Sequence, residues 1–166
     1  MIDYGFMDRA GRPVTLHEVD DGNWRAVADV APRDDQRRFV PPSAARYLLL
    51  SLREGVWNSL AVRAGDTVAG HVMWARDDED GSYWIGGMLI DAAEQGKGLG
   101  RAAVRTLMAS LAERADCAEL RLSYEPDNAA AGHLYTSLGF RATTAVEGEE
   151  IVAVLAAREA TAPRAV

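Results

Sequence analysis

The stretch from Leu89 to Met108, "LIDAAEQGKGLGRAAVRTLM", decides the fold. Its first residues close an apolar run, 83–90, that reads as a strand and breaks at Asp91. Glycines then stand at 96, 98 and 100, and an Ala-rich pattern follows over 98–115. There Ala103, Leu107, Leu111 and Ala115 recur every four residues beside Val104 and Met108, which predicts a helix with one buried face. The first turn of a helix carries N–H groups without intrahelical acceptors, and glycines let a ligand approach the backbone closely. With the helix macrodipole added, the stretch predicts an anion site suited to a pyrophosphate, with Lys97 and Arg101 supplying charge at the rim. It matches neither G-x-x-x-x-G-K-[ST] nor a G-x-G-x-x-G after a first strand. Taken alone, its plain alternative is a glycine-rich turn with no ligand.

Working outward, "PVTLHEV" (13–19) alternates as a first strand, and Asp20 or Asp21 caps a helix over about 23–30. Pro41-Pro42-Ser43 starts a second helix that Gly55 stops. Strands 58–63 and 67–76 form a hairpin around Gly65-Asp66, and "DDEDGS" leads into strand 83–90. Beyond the long helix come strand 118–124, a helix over 128–138 closed by Gly139, and a hairpin of "RATTAV" and "EIVAVLAA". The order β-α-α-β-β-β-α-β-α-β-β predicts an α/β (α+β) protein, a mixed sheet of seven strands with four helices packed on it.

The chain has 166 residues, 25 acidic and 18 basic, for a net charge of −7. That size fits one domain. An acidic surface repels phosphate backbones, so nucleic acid is not expected as a partner, and a small cation is favoured instead. No apolar run approaches the roughly 20 residues that span a bilayer, and the N-terminus reads as no export signal. A membrane association is therefore not expected, and cytoplasmic residence is the default. Cys117 is the only cysteine and is expected as a small core residue. His17, His71 and His133 lack metal-ligand spacing with each other or with Cys117, so no metal site is expected.

Asn128 and Tyr135 stand seven residues apart, and at about 100° per residue they lie almost on one line of their helix. Ala131 and Gly132 between them leave a shallow groove with an amide at one end and a phenol at the other. A slender chain fits such a groove.

"QGKGLG" (95–100) fits every position of [Q/R]-x-x-G-x-[G/A], and in this the chain resembles the GNAT superfamily of acyl-CoA N-acyltransferases. The resemblance runs from about Val14 to Ala156. "YWIGGMLIDAAEQGKGLG" and "LRLSYEPDNAAAGHLYTSLGF" are most similar to bacterial diamine or spermine/spermidine N-acetyltransferases. The chain reads as a single domain over 1–166, with 1–12 as a lead-in and 158–166 as a disordered tail, and the resemblance implies a mostly antiparallel sheet with a central splay. It implies acetyl-CoA as cosubstrate, its diphosphate on Gln95, Gly96, Lys97, Gly98, Leu99, Gly100 and Arg101. Its pantetheine arm would pair with the backbone of Leu89 and Ile90 and with Asn128, and Tyr135 would stand near the thioester sulfur. Transfer would be direct, without an acyl-enzyme, and a homodimer is compatible with the resemblance.

A phenol is a plausible acid for a leaving thiolate, and packing of Tyr135 on the core is its plain alternative. A base must first take a proton from the ammonium of the acceptor. Glu125 is the candidate, although a solvated loop carboxylate is the plainer reading and a water chain would leave no signature. Glu18, and Asp20 if it is not the cap, are candidates for the acceptor pocket; Tyr83 and Trp84 are candidate walls of a polyamine channel. The four tryptophans read as core or pocket wall, His133 as exposed, and Asp77 to Asp80 as a solvated loop. The resemblance points to a polyamine or diamine as acceptor. An amine antibiotic or a protein N-terminus uses the same donor, and a non-catalytic acyl-CoA-binding module keeps the same loop. In the polyamine subgroup a bulkier or charged residue is expected where this strand has Gly86-Gly87.

Overall fold

The computed structural model describes residues 1–160. The strand–glycine turn–helix unit is present as β4 (Tyr83–Ile90) and α3 (Leu99–Ala112), joined by a single 3-10 turn at Ala92–Glu94. The remaining elements are β1 (Val14–Glu18), α1 (Trp24–Ala28), α2 (Ala45–Glu54), β2 (Asn58–Ala64) and β3 (Thr67–Arg76) before it. After it come β5 (Glu119–Tyr124), α4 (Ala129–Leu138), β6 (Arg141–Glu147), β7 (Glu150–Ala156) and α5 (Ala157–Ala160). They form one seven-stranded sheet in the order β1-β2-β3-β4-β5-β7-β6. Every neighbouring pair is antiparallel except β4 and β5, which run parallel.

Alternation along the strands divides the interior in two. Leu60 and Val62 of β2 enter the larger core with Val104, Leu107 and Leu111 of α3 and Leu120 and Leu122 of β5. Ala61, between them, belongs to a smaller cluster with Val27, Val30 and Ala44, beneath α1 and α2. The sheet is thus covered on both faces. Two sequence expectations change here. The long helix ends at Ala112, and Ala115 is exposed beyond it. Arg158, assigned above to a tail, lies with Glu159 and Ala160 in α5, where Glu159 pairs with Arg141 at 2.9 Å. The rest of that tail lies outside the described residues.

The parallel pair β4–β5 positions the site. It is in register only at Tyr83↔Leu120 and Trp84↔Arg121, and the strands then separate. A bulge accompanies the separation. Met73 of β3 pairs with Gly86 and His71 with Leu89, so Val72 alone faces Gly87 and Met88. An extra residue on one strand bends it and increases its twist. Gly87 takes φ +56°, a conformation that a β-carbon opposes, and a β-carbon there would lie 3.0 Å from Met73 Cγ and Sδ. Of the Gly86-Gly87 pair that departs from the expected pattern, Gly87 lies in the bulge.

Candidate active site

The turn before α3 is held by its own side chains. Asp91 accepts from the Ala93 N–H at 3.0 Å, and Gln95 Nε2 donates to the Ile90 carbonyl at 2.9 Å and to Gln36 Oε1 at 2.7 Å. Gly98 is the N-cap, with φ +83°, and no side chain caps the helix. The amides of its first turn therefore lack both an intrahelical acceptor and a side-chain cap. Lys97 donates to Glu94 at 3.1 Å and does not line the cavity beside the loop, whereas Arg101, bonded to Ser137 Oγ at 2.6 Å, does. The lead-in segment contributes too. Arg9 donates its backbone N–H to the Lys97 carbonyl at 2.8 Å, and Arg12 bridges Asp8 and Glu94 at 2.8 and 2.6 Å.

Two cavities meet at the splay, with Met88, Asn128, Ala131 and Tyr135 in the walls of both. The first, about 870 Å³, runs along the glycine loop past Leu89, Ile90, Gln95, Gly96, Gly98, Leu99 and Gly100. Its cationic lining is Arg9, Arg33, Arg101 and Arg105; its carboxylates, Asp8 and Glu94, are already engaged by Arg12. The second, about 610 Å³, is bordered by Asp77, Asp78, Glu125, Glu147 and Glu150 against Arg76 alone, which is itself held by Asp78 and Asp116. Trp57, Trp84, Tyr47 and Tyr124 form aromatic walls there. One cavity suits an anion and the other a cation.

Tyr135 sits where they join. It is 9% exposed, with Tyr124 5.8 Å away between ring centroids and Phe140 packed edge-on at 6.2 Å. Burial, and then the negative charge available to Tyr47 and Glu150, push its pKa well above the ordinary phenol value, so its proton stays on. Asn128 Oδ1 caps α4 by accepting from the Ala131 N–H at 3.2 Å, which leaves its amide NH₂ as the group for a ligand.

Beneath the bulge, His71 is fully buried. Its Nδ1 donates to the Gly87 carbonyl at 2.7 Å, and its Nε2 lies 2.9 Å from Ser59 Oγ. A carbonyl only accepts, so Nδ1 carries the proton, and neutral Nε2 accepts from Ser59. The imidazole stacks on Tyr47 at 5.4 Å and 5°. Burial lowers its pKa to about 4 and raises that of Tyr47 to about 12.

Several expected residues lie elsewhere. Tyr83 is 2% exposed, packs on Trp74 and donates to Asp116 at 3.0 Å, inside the larger core. Successive strand residues point to opposite faces, so Trp84 lines the second cavity while its neighbour does not. Glu18 is exposed on β1, three strands from β4, and lines neither cavity. Asp20 accepts from the Gly22 and Asn23 N–H groups at the start of α1, as a turn residue. Asp80 pairs with Arg121 at 2.6 Å, yet Asp77 and Asp78, read as part of a solvated loop, border the acidic cavity. Trp24 is 42% exposed under Arg25, Trp57 is pocket wall, and His133 is exposed at the edge of the first cavity. Sequence reasoning missed Arg9, Arg33 and Arg105 on one side, and Tyr47, Tyr124, Glu147 and Glu150 on the other. No spacing signals them, since they come together only through the sheet. Among the described residues, no group of three or more His, Cys, Asp or Glu is placed to hold a metal, and no helix is long and apolar enough to cross a membrane.

A sheet splayed at one parallel pair, with a glycine-capped helix at its mouth, defines an acyltransferase fold. The acetyltransferase (GNAT) family model matches residues 16–140, and the chain belongs to that family of N-acetyltransferases. A spermine/spermidine N(1)-acetyltransferase of Bacillus subtilis (strain 168) is 25% identical over 135 residues, covering 77% of this chain and 88% of that one. The solved spermidine N-acetyltransferase from Vibrio cholerae, in complex with CoA and spermine, superposes with a TM-score of 0.69 at 15% identity, over 89% of this chain and 97% of that one. The ribosomal-protein-S18-alanine N-acetyltransferase from Escherichia coli gives 0.65 at 22%, over 86% and 93%.

Proposed function

We propose that this protein transfers the acetyl group of acetyl-CoA directly to a primary amine of a polyamine or diamine. The observation that carries the reading is the opposite charge of the two cavities on either side of Tyr135. The cofactor side fits coenzyme A. The uncapped amides of α3, with Arg9, Arg101 and Arg105, take phosphate, and the splayed backbone of Leu89 and Ile90, with the Asn128 amide, takes pantetheine. The acceptor side fits a slender polycation. Its carboxylates, Glu125 among them, neutralise ammonium groups, and Trp57 and Trp84 flank the methylenes. The 25% identity to a spermine/spermidine N(1)-acetyltransferase over most of the chain supports this choice over an amine antibiotic or a protein N-terminus.

Attack by the amine forms a tetrahedral centre, whose oxyanion a backbone N–H within Met88 to Ile90 holds in this reading. As the C–S bond breaks, the Tyr135 phenol donates to the sulfur and is reprotonated as the nitrogen gives up its second proton. A CoA-release assay over a panel of amines tests the reading, with spermidine, spermine or a diamine expected to give the highest kcat/KM. Tyr135→Phe is expected to lower kcat by about 10²-fold or more while coenzyme A affinity, by calorimetry, stays within about twofold. Equal rates for the two proteins would end the assignment of Tyr135 as acid.

A further inference from the structure

The reaction needs a group to deprotonate the acceptor, and the strand that passes closest supplies none. Of β4, the acidic cavity is lined by Trp84, Ile85, Gly86, Gly87 and Met88, none of which titrates as a base. A carboxylate serving as base therefore comes from another wall of the cavity. The amine attacks the same carbon whose sulfur Tyr135 protonates, so the base has to lie within reach of that phenol.

Glu150 satisfies this. It begins β7, one residue before Ile151, which is in register with Tyr124 of β5 on the far wall of the splay. Ser123 of β5 donates its hydroxyl to the Glu150 carboxylate and fixes it at the cavity wall. Tyr47 from α2 and Tyr135 from α4 line the same cavity, and Glu147 of β6 stands opposite Glu150 across the hairpin. Arg76, the cavity's cation, is engaged by Asp78 and Asp116. Tyr124, paired with Ile151 in the ladder, has its ring 5.8 Å from that of Tyr135, so the start of β7 lies on the same side of the cavity as the phenol. Glu125 borders the cavity as well, and among the described residues no side chain donates to its carboxylate as Ser123 does to that of Glu150.

We propose that Glu150, held by Ser123, is the general base of the acetyl transfer, with Glu125 contributing to acceptor binding. The step rests on the acetyltransferase reading above. One ammonium proton passes to a Glu150 carboxylate oxygen, and the freed lone pair forms the C–N bond. The C–S bond breaks, the sulfur takes the Tyr135 proton, and the nitrogen's second proton restores the phenol. The products are the acetamide, CoA thiol and one proton, which leaves Glu150 for water.

The test compares wild type, Glu150→Gln, Ser123→Ala and Glu125→Gln with acetyl-CoA and spermidine across pH 6 to 10. Glu150→Gln is expected to lose about 10²-fold or more in kcat at pH 7, with coenzyme A affinity by calorimetry within about twofold. Its rate should climb with pH as free amine accumulates, so that the deficit narrows toward pH 10. Ser123→Ala is expected to fall in the same direction by about tenfold, through a carboxylate left less fixed. Glu125→Gln is expected to raise the KM for spermidine with kcat within about threefold. Rates for Glu150→Gln within threefold of wild type at pH 7, a deficit independent of pH, or the large kcat loss appearing in Glu125→Gln instead, would each overturn the assignment. Failure of the wild-type protein to bind coenzyme A or to turn over any amine would defeat the acetyltransferase reading itself.

Discussion

His71 shows how one residue ties the site to stability. Its neutral ring donates to the Gly87 carbonyl, accepts from Ser59 and supports the Tyr47 ring, all without contact with solvent. Its folded pKa of about 4 lies below the ordinary 6.5, so between those values the unfolded chain binds more protons than the folded one. Stability from this group is therefore complete above pH 6.5 and falls as pH drops toward 4. Between pH 7 and pH 5 the loss should be about 2 kcal/mol, on a scale of 1.36 kcal/mol per pKa unit. Urea unfolding at the two pH values checks this. A His71→Gln protein, less stable throughout, should show a clearly smaller difference between them. His17, also lowered by burial, adds in the same direction.

At the scale of the element, β4 and the turn beyond it were legible because their signals are local. Glycine spacing, the break at Asp91 and the four-residue period of α3 need no partner to be read. The bulge was not legible, because Gly87 acquires its φ of +56° only by pairing with β3 one residue out of step. Gly87→Ala forces a β-carbon to 3.0 Å from Met73 in a strained conformation, and should cost about 1–3 kcal/mol in urea unfolding. Because the bulge carries the strand away from β5, coenzyme A affinity by calorimetry should fall several-fold as well. An alanine protein with wild-type stability and affinity would show that the bulge tolerates another conformation. The expectation that Tyr83 and Trp84 share a channel failed at this scale too, since a strand's period of two separates neighbours.

Across the whole molecule, the net charge of −7 conceals a division. Arginines from the lead-in segment and α3 border one cavity, and carboxylates from the β3–β4 connection, the end of β5 and the β6–β7 hairpin border the other. Fields of this kind concentrate a charged ligand and are screened by salt, with a Debye length of about 10 Å at 0.1 M. Raising ionic strength from 0.05 to 0.5 M should increase the KM for spermidine by about fivefold or more with little change in kcat. A singly charged monoamine should respond less. Equal salt slopes for the two amines would mean that the acidic lining does not select the acceptor.

The sequence by itself determined the order of the elements, the glycine turn before α3 and the asparagine–tyrosine face of α4, because each depends on residues within a few turns of one another. Only the tertiary structure decided which charges line which cavity. β7 inserts between β5 and β6, and so brings Glu150 to Ser123 and to the cavity wall beside Tyr135. Residues this far apart in the chain meet through strand order, and strand order is set by burial of the whole sheet rather than by any local pattern.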